Sequence, residues 1–517
     1  MLAINIPADG LFLAILNKAQ GDLSAENSLR ILRNYIGRIL DTKPDVILLN
    51  VCYRRSLTPS QVFDSYLYDV ETDENGLARR TDSGETIRTL SPVSDQVSKY
   101  FASFFTCARV LMQNGVDIYQ TAVRQIREAG CRVYLSVRMN DGHYTDHPAV
   151  NSPFAIKNGG EHTIGHDGVA LDFSQTAVQN HICEYIEELL SRYPADGVEL
   201  DWLRYPNVLP REHCSDFSIL NGYMRRVRAL LNRFDPNLSL AVRVLPSEQD
   251  DLQHGMDVCQ WVADGSADMV TIENFYVPTN FEMPVAQWKE SLRQRDPAGH
   301  PCLLFCGTDW AVSCVQKYSL AMNPALVRGF AADCLHRGAD GIYLFNFFEE
   351  DDTSAFEFVQ DKTGARLVNC FVSRIQAARE PDKLPRRYVH IGCTNERYPI
   401  CLEPGQEYEF VRQIHSSSCA GSVVIGSNID APLSVRVNGL DASVPLQGES
   451  VHPGFAFIPQ DQIGRDNEFI YAVSQAAPCV RTVAIPAQAM VASAAKITIR
   501  NESSQNILLL WLEFRCD

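Results

Sequence analysis

Eight short β-branched, apolar runs recur along roughly the first 350 residues, separated by segments of helical periodicity, and this alternation limits the chain to few folds. The runs are Leu2–Ile6 (with Leu11–Ile15 as a continuation), Val46–Val51, Val133–Met139, Gly197–Trp202, Leu238–Val244, Met269–Phe275, Pro301–Gly307 and Gly341–Phe347. Helical patterns cover Ser24–Leu40, Ile118–Ala129, Thr176–Tyr193, Ile219–Phe234 and Asn323–Arg337. In the third of these, Val178, Ile182, Tyr185, Ile186, Leu189 and Leu190 fall on one face. Eight strands alternating with helices predict an α/β fold, a (β/α)8 barrel with its working site at the C-terminal ends of the strands. A doubly wound open sheet also alternates, but no Gly-x-Gly-x-x-Gly follows the first run.

The longest insertion, residues 52–114, follows the second strand and holds an apolar helical stretch, Gln96–Met112. Insertions after barrel strands lie over the mouth. Past residue 384 the helical periodicity stops. Short strands then read as Ser422–Ile425, Leu433–Val437, Phe455–Ile458, Glu468–Val473, Thr482–Ile485, Lys496–Ile499 and Ile507–Glu513, with turn signals such as Asn438-Gly439 between them. The expected organisation is a barrel over 1–384, closed by a connecting helical segment at 353–384, and a β-sandwich over 385–517. That module is either a carbohydrate-binding accessory or a structural brace.

A chain of 517 residues also exceeds what one hydrophobic core usually organises. Its net charge of −17, without a basic run, argues against nucleic acid and anionic membranes as partners. No apolar stretch of spanning length and no signal-peptide pattern is read, since Asn5, Pro7 and Asp9 interrupt the first apolar residues. The 16 cysteines are scattered, and several (Cys52, Cys131, Cys259, Cys302) sit in or beside apolar runs as small hydrophobes. Reduced thiols in a cytoplasm are the expectation. The oligomeric state stays open.

Side chains alternate along a strand, so parity separates the barrel interior from the helix-facing layer. Val198, Leu200 and Trp202 share one face of the fourth strand and must pack on helices, which turns Glu199 and Asp201 inward. The same reasoning turns Arg138 and Asn140, Arg243, Asn50 and Glu273 inward, and Asn346 is assigned from the eighth strand. Burial without partners is costly for charges, so a ring of acids, arginines and amides must pair or meet a ligand. The bland alternative is a buried ion-pair network without catalysis.

Glycosidic hydrolysis uses two carboxyl groups flanking the scissile bond. Glu199 and Asp201 lie only two residues apart on one strand, about 7 Å and stacked in depth. A partner across the mouth suits the chemistry better. Asp201 or Glu199 is expected as nucleophile or charge stabiliser and Glu273 as acid/base, with Asp309 of Gly307-Thr308-Asp309-Trp310 in reserve. Trp310 and Tyr276 are candidate stacking faces for a sugar.

The segment Arg192-Tyr193-Pro194-Ala195-Asp196-Gly197-Val198-Glu199-Leu200-Asp201-Trp202-Leu203-Arg204-Tyr205-Pro206 resembles the bacterial glycosyl hydrolase-like 10 family of glycosidase-type proteins. Ser136-Val137-Arg138-Met139-Asn140-Asp141-Gly142-His143 is similar to that family's third-strand motif, and Gly338-Ala339-Asp340-Gly341-Ile342-Tyr343-Leu344-Phe345-Asn346 to its last strand. The resemblance covers the barrel and leaves the C-terminal region out. It implies a carbohydrate or glycoside substrate and no cofactor, and it adds Asp141, His143 and Arg204 to the substrate-binding candidates Asn50, Arg138, Asn140, Arg243, Tyr276, Trp310 and Asn346. The fourth strand also resembles the chitinase-type family 18 signature, Asp-Gly-x-Asp-x-Asp-Trp-Glu. Here Glu199 replaces an inner Asp, and Leu203 stands where that family has its catalytic Glu, so chitinase chemistry is not expected.

Two rival readings remain. Asp141, His143, Asp146 and His147 cluster after the third strand and form a candidate metal-hydrolase site, although the first strand has no His-x-His. A non-catalytic sugar-binding barrel is the other. Serine-esterase elbows and phosphate-binding Gly-rich loops are absent.

Overall fold

In a computed structural model of the chain, eight strands close into a barrel: β1 (Leu2–Ile6), β2 (Val46–Asn50), β3 (Arg132–Arg138), β4 (Gly197–Asp201), β5 (Ser239–Val244), β6 (Met269–Ile272), β7 (Leu303–Thr308) and β8 (Gly341–Leu344). The structure describes residues 1–7, 10–65, 70–72, 78–80, 94–142, 151–156, 160–164, 170–274, 279–296, 298–309, 311–315, 318–346, 371–391, 400–414, 420–446, 457–459, 479–491 and 493–516. Neighbouring strands from β1 through β7 pair in parallel, in sequence order, and β8 lies between β7 and β1. This is the (β/α)8 fold expected from the alternation.

Helices connect the strands where local signals place them. Ser24 caps Ala25–Leu40 by accepting from the Asn27 amide, Asp117 caps Ile118–Glu128 from Gln120, and Asn323 caps Pro324–His336 from Leu326. One reading fails here. Leu11–Ile15 does not extend the first strand but lies inside the helix Gly10–Ala19. Its apolar run is buried helix, a pattern that short apolar stretches do not distinguish from strand. Residues 52–114 carry a helix, Ser94–Gln113, and a hairpin of Val70–Thr72 with Ala78–Arg80.

The apolar part of the barrel interior is made by Ala3, Val46, Leu48, Tyr134, Ala241, Met269 and Phe305, with Tyr343 and Phe345 from the last strand and its end. Their parity is that of Asn5, Asn50, Ser136, Arg138, Glu199, Asp201, Arg243 and Thr271, so the polar residues continue the interior toward the C-terminal end.

The contacts divide the chain into two units, Met1–Tyr276 with Pro284–Gly307 and Tyr343–Glu349, and Val277–Met283 with Thr308–Ile342 and Glu350–Asp517. This differs from the expected boundary at 384/385, because the helix Pro324–His336 belongs to the second unit. Its Gly329 lies against the strand Arg386–Ile391 so closely that a Cβ there would sit 1.9 Å from the Arg387 carbonyl oxygen.

The second unit holds antiparallel sheets. One is built from Arg386–Ile391, Ile507–Cys516, Gly421–Ser427, Cys479–Ile485 and Ser443–Leu446, with Ile400–Leu402 also on Ile507–Cys516. Another is ordered Glu407–Gln413, Ala494–Asn501, Leu433–Val437, Leu440–Asp441. Most strands expected for the β-sandwich are present. Phe455–Ile458 becomes Phe457–Pro459, which pairs with Tyr318–Ala321 in a separate sheet and joins neither of these two, while the expected strand Glu468–Val473 lies outside the described residues. Glu407–Gln413 escaped the sequence reading because charged residues occupy its exposed face. Cys52, Cys131 and Cys259 are buried free thiols and Cys302 a half-buried one. No helix among the described residues is long and apolar enough to cross a membrane.

Candidate active site

Register sets the site. Arg138 lies opposite Asp201, and Asp201 opposite Arg243, so one row across β3, β4 and β5 alternates cation, anion, cation at the C-terminal end of the barrel. Arg243 grips Asp201 with two parallel bonds, Nε to Oδ1 at 3.0 Å and Nη2 to Oδ2 at 2.9 Å. Its remaining terminal nitrogen, Nη1, donates to Glu273 Oε2 at 3.0 Å. All three side chains are almost completely buried. The guanidinium also lies on the Phe345 ring, 3.8 Å from its centre. Burial opposes the charge of Arg243, but Asp201 and Glu273 outweigh it and hold the guanidinium protonated. The Leu203 amide donates to Asp201 Oδ1 at 3.1 Å, which fixes that carboxylate further.

Glu273 owes its position to β7. A Cβ on Gly307 would lie 2.3 Å from Glu273 Oε2 and 2.7 Å from its Cδ. Only glycine leaves room for the carboxylate. Gly307→Ala is therefore expected to push Glu273 off Arg243 and destabilise the fold by about 1–3 kcal/mol, read by denaturant titration. A Gly307→Ala protein as stable as wild type would contradict that packing.

Glu199 sits one row deeper. Its Oε1 accepts from Ser136 Oγ at 2.7 Å and from Tyr343 Oη at 3.0 Å. Tyr343 in turn accepts from Asn5 Nδ2 at 2.9 Å. Burial, followed by the charge of Asp201, pushes the Glu199 carboxyl up to about 7 against the pull of Arg243 and its hydrogen bonds.

A second ion pair flanks the first. Arg138 binds Asp141 and lies over the Tyr53 ring at 4.7 Å. Burial works against the Arg138 charge, and Asp141, Tyr53 and Asp201 more than offset it. Arg54 Nε donates to the Asp141 carbonyl at 2.6 Å, tying the loop after β2 to the loop after β3. Arg204 is buried over Phe345 at 4.9 Å, and burial together with Arg138 lowers its proton affinity.

Other expected ring members take other places. Asn140 is bound to backbone: its amide accepts from Leu171 at 2.7 Å and donates to the Leu171 carbonyl at 3.1 Å. It lies past the end of β3 and braces a loop instead of joining the ring. The last strand has the opposite parity from the one assigned, because Tyr343 and Phe345 point inward while Asn346 follows half-buried with a φ of 53°. Asn50 ends β2, buried and inward. Asp309 belongs to the second unit, where its carbonyl accepts from Thr279 Oγ1 at 3.2 Å. His143, Asp146, His147, Tyr276 and Trp310 lie outside the described residues. Among the described residues, no group of three or more His, Cys, Asp or Glu is arranged to hold a metal ion.

Sequence reasoning missed Asn5, Tyr53, Ser136, Tyr343 and Phe345.

Barrel and charged mouth define a (β/α)8 protein with antiparallel β-sheets in its second unit. No protein-family model matches the chain, and no curated protein sequence does. Among solved structures it is similar to a chitinase from Chromobacterium violaceum at 10% identity, covering 74% of this chain and 99% of that one with a TM-score of 0.35. An alpha-L-fucosidase from Paenibacillus thiaminolyticus matches at 12% identity over 68% of this chain and 46% of that one, TM-score 0.37. A maltogenic alpha-amylase from Thermotoga neapolitana matches at 10% identity over 98% of both chains, TM-score 0.34. Scores this low carry no information about reaction or substrate.

Proposed function

We propose that the barrel cleaves an O-glycosidic bond in a carbohydrate or glycoside, with Asp201 as the charged carboxylate beside the sugar and Glu273 as the acid/base on the leaving oxygen. The observation that supports this is the shared arginine. Asp201 and Glu273 come from different strands, and each has an oxygen 2.9–3.0 Å from a nitrogen of the Arg243 guanidinium. Adjacent nitrogens of one planar fork then keep those oxygens within about 8 Å of each other. Working carboxyl pairs in glycosidases span about 5–9.5 Å. Glu199 lies one row deeper in the barrel and is the less suitable partner. Arg138, Arg204 and Asn50 are the proposed contacts to sugar hydroxyls.

One observation favours a barrel that binds sugar without cleaving it: both oxygens of Asp201 are already taken by Arg243. Turnover decides between them. Aryl glycosides of varied sugars and both anomers are screened first. Glu273→Gln is then expected to lower kcat on an unactivated substrate by about 10²–10⁴-fold, less on one with a good leaving group, with binding retained. Unchanged turnover would remove Glu273 from the reaction, and no turnover of any glycoside by the wild type would leave the binding reading. Activity is expected to survive a chelator, since neither carboxylate needs a metal for this chemistry.

A further inference from the structure

Below the Asp201–Arg243–Glu273 cluster, five consecutive strands around the barrel each point one polar side chain inward: Tyr343 from β8, Asn5 from β1, Asn50 from β2, Ser136 from β3 and Glu199 from β4. The arc closes on itself, because Tyr343 donates across to Glu199 at 3.0 Å and accepts from Asn5 at 2.9 Å. Asn50, Ser136 and Glu199 also share one register row across β2, β3 and β4. Each of the five is almost completely buried.

Among the described residues, four polar atoms on this arc have no hydrogen-bond partner: Asn5 Oδ1, Asn50 Oδ1, Asn50 Nδ2 and Glu199 Oε2. A buried polar group left without a partner costs about 1–3 kcal/mol. Four such atoms facing one interior call for a ligand.

We infer that Asn5, Asn50 and Glu199 form a binding site inside the barrel for a neutral O–H group, supplied either by a water molecule or by a hydroxyl of the bound sugar. The mixture of atoms selects that chemistry. Asn50 Nδ2 only donates, which disfavours a cation, while the two amide oxygens only accept, which disfavours an anion. A hydroxyl does both. Glu199 fits the same ligand. Ser136 and Tyr343 both donate to its Oε1, so a proton carried by this carboxyl resides on Oε2 and points into the site. The site exists whether or not the barrel is a glycosidase; only the sugar source of the hydroxyl rests on the proposed reaction.

The test is a pair of crystal structures of the full chain at about 1.5 Å or better, one free of ligand and one soaked in D-glucose. An oxygen within hydrogen-bond distance of both Asn50 and Glu199 in the ligand-free crystal supports the site with water in it. An oxygen present only after soaking, as part of the sugar, supports it with the substrate hydroxyl as ligand. Asn50 turned directly onto Glu199 in both crystals, with no oxygen between them, overturns the inference. Asn50→Leu gives an independent reading. It removes both amide atoms, so the bound oxygen is expected to vanish and Tm to fall by several degrees. An unchanged or raised Tm would show that the amide binds nothing there. The ligand-free crystal involves no turnover, so its outcome is separate from that of the glycosidase proposal.

Discussion

Replacing Arg243 with methionine is expected to destabilise the barrel by about 3–5 kcal/mol and to abolish turnover. The side chain is about 1% exposed and bonds two buried carboxyl groups, so its removal takes the cation from between them. Methionine keeps much of the volume and the contact with Phe345, which separates lost charge from lost packing. Denaturant titration of the variant measures the effect. A companion triple variant, Arg243→Met with Asp201→Leu and Glu273→Met, removes all three charges together. Buried ion networks replaced by apolar groups of similar size are often as stable as the original. The triple variant is therefore expected to regain most of the stability and none of the activity. A single variant as stable as wild type would mean that the cluster is hydrated and weakly coupled.

The second large effect concerns pH. Glu199 holds its proton up to about 7, while the unfolded chain releases it near the ordinary 4.5. Below that ordinary value both states are protonated, and the contribution to stability is fully present. Between 4.5 and about 7 the unfolded chain ionises first, so stability falls as pH rises through this window and levels off above it. The loss amounts to about 3 kcal/mol. Glu199→Gln keeps the shape and a donor at the same place but does not titrate. The stability of the variant relative to wild type is then expected to rise by about 3 kcal/mol between pH 4.5 and pH 8, in urea titrations across that range. Parallel curves for the two proteins would place the Glu199 carboxyl in a wetter setting than its burial implies. The direction is the reverse of a salt-bridged carboxylate, which loses stability as pH falls.

Both predictions use residues that strand parity alone turned inward. Val198, Leu200 and Trp202 had to face helices, so Glu199 and Asp201 had to face the barrel, and the same held for Arg138 and Arg243. Where local patterns were weak, the reading slipped. Leu11–Ile15 is apolar enough for either a strand or a buried helix, and its neighbours decided for the helix. Asn140 lies past the last paired residue of β3, where alternation no longer governs direction, and loop backbone claimed its amide. The aromatic end of β8 offered no polar and apolar contrast, so its parity could be set only by the packing of Tyr343 and Phe345 in the interior.

By itself, the sequence determined the order of the barrel strands and helices, and which side chains the strands with a clear polar and apolar contrast send inward, because both follow from periodicities of 2 and 3.6 residues along a local stretch. Only the tertiary structure decided that Arg243 serves both Asp201 and Glu273, and that Tyr343 reaches Glu199 from 144 residues away. Those partnerships depend on the stagger between strands and on barrel closure, which bring together residues that no local pattern relates.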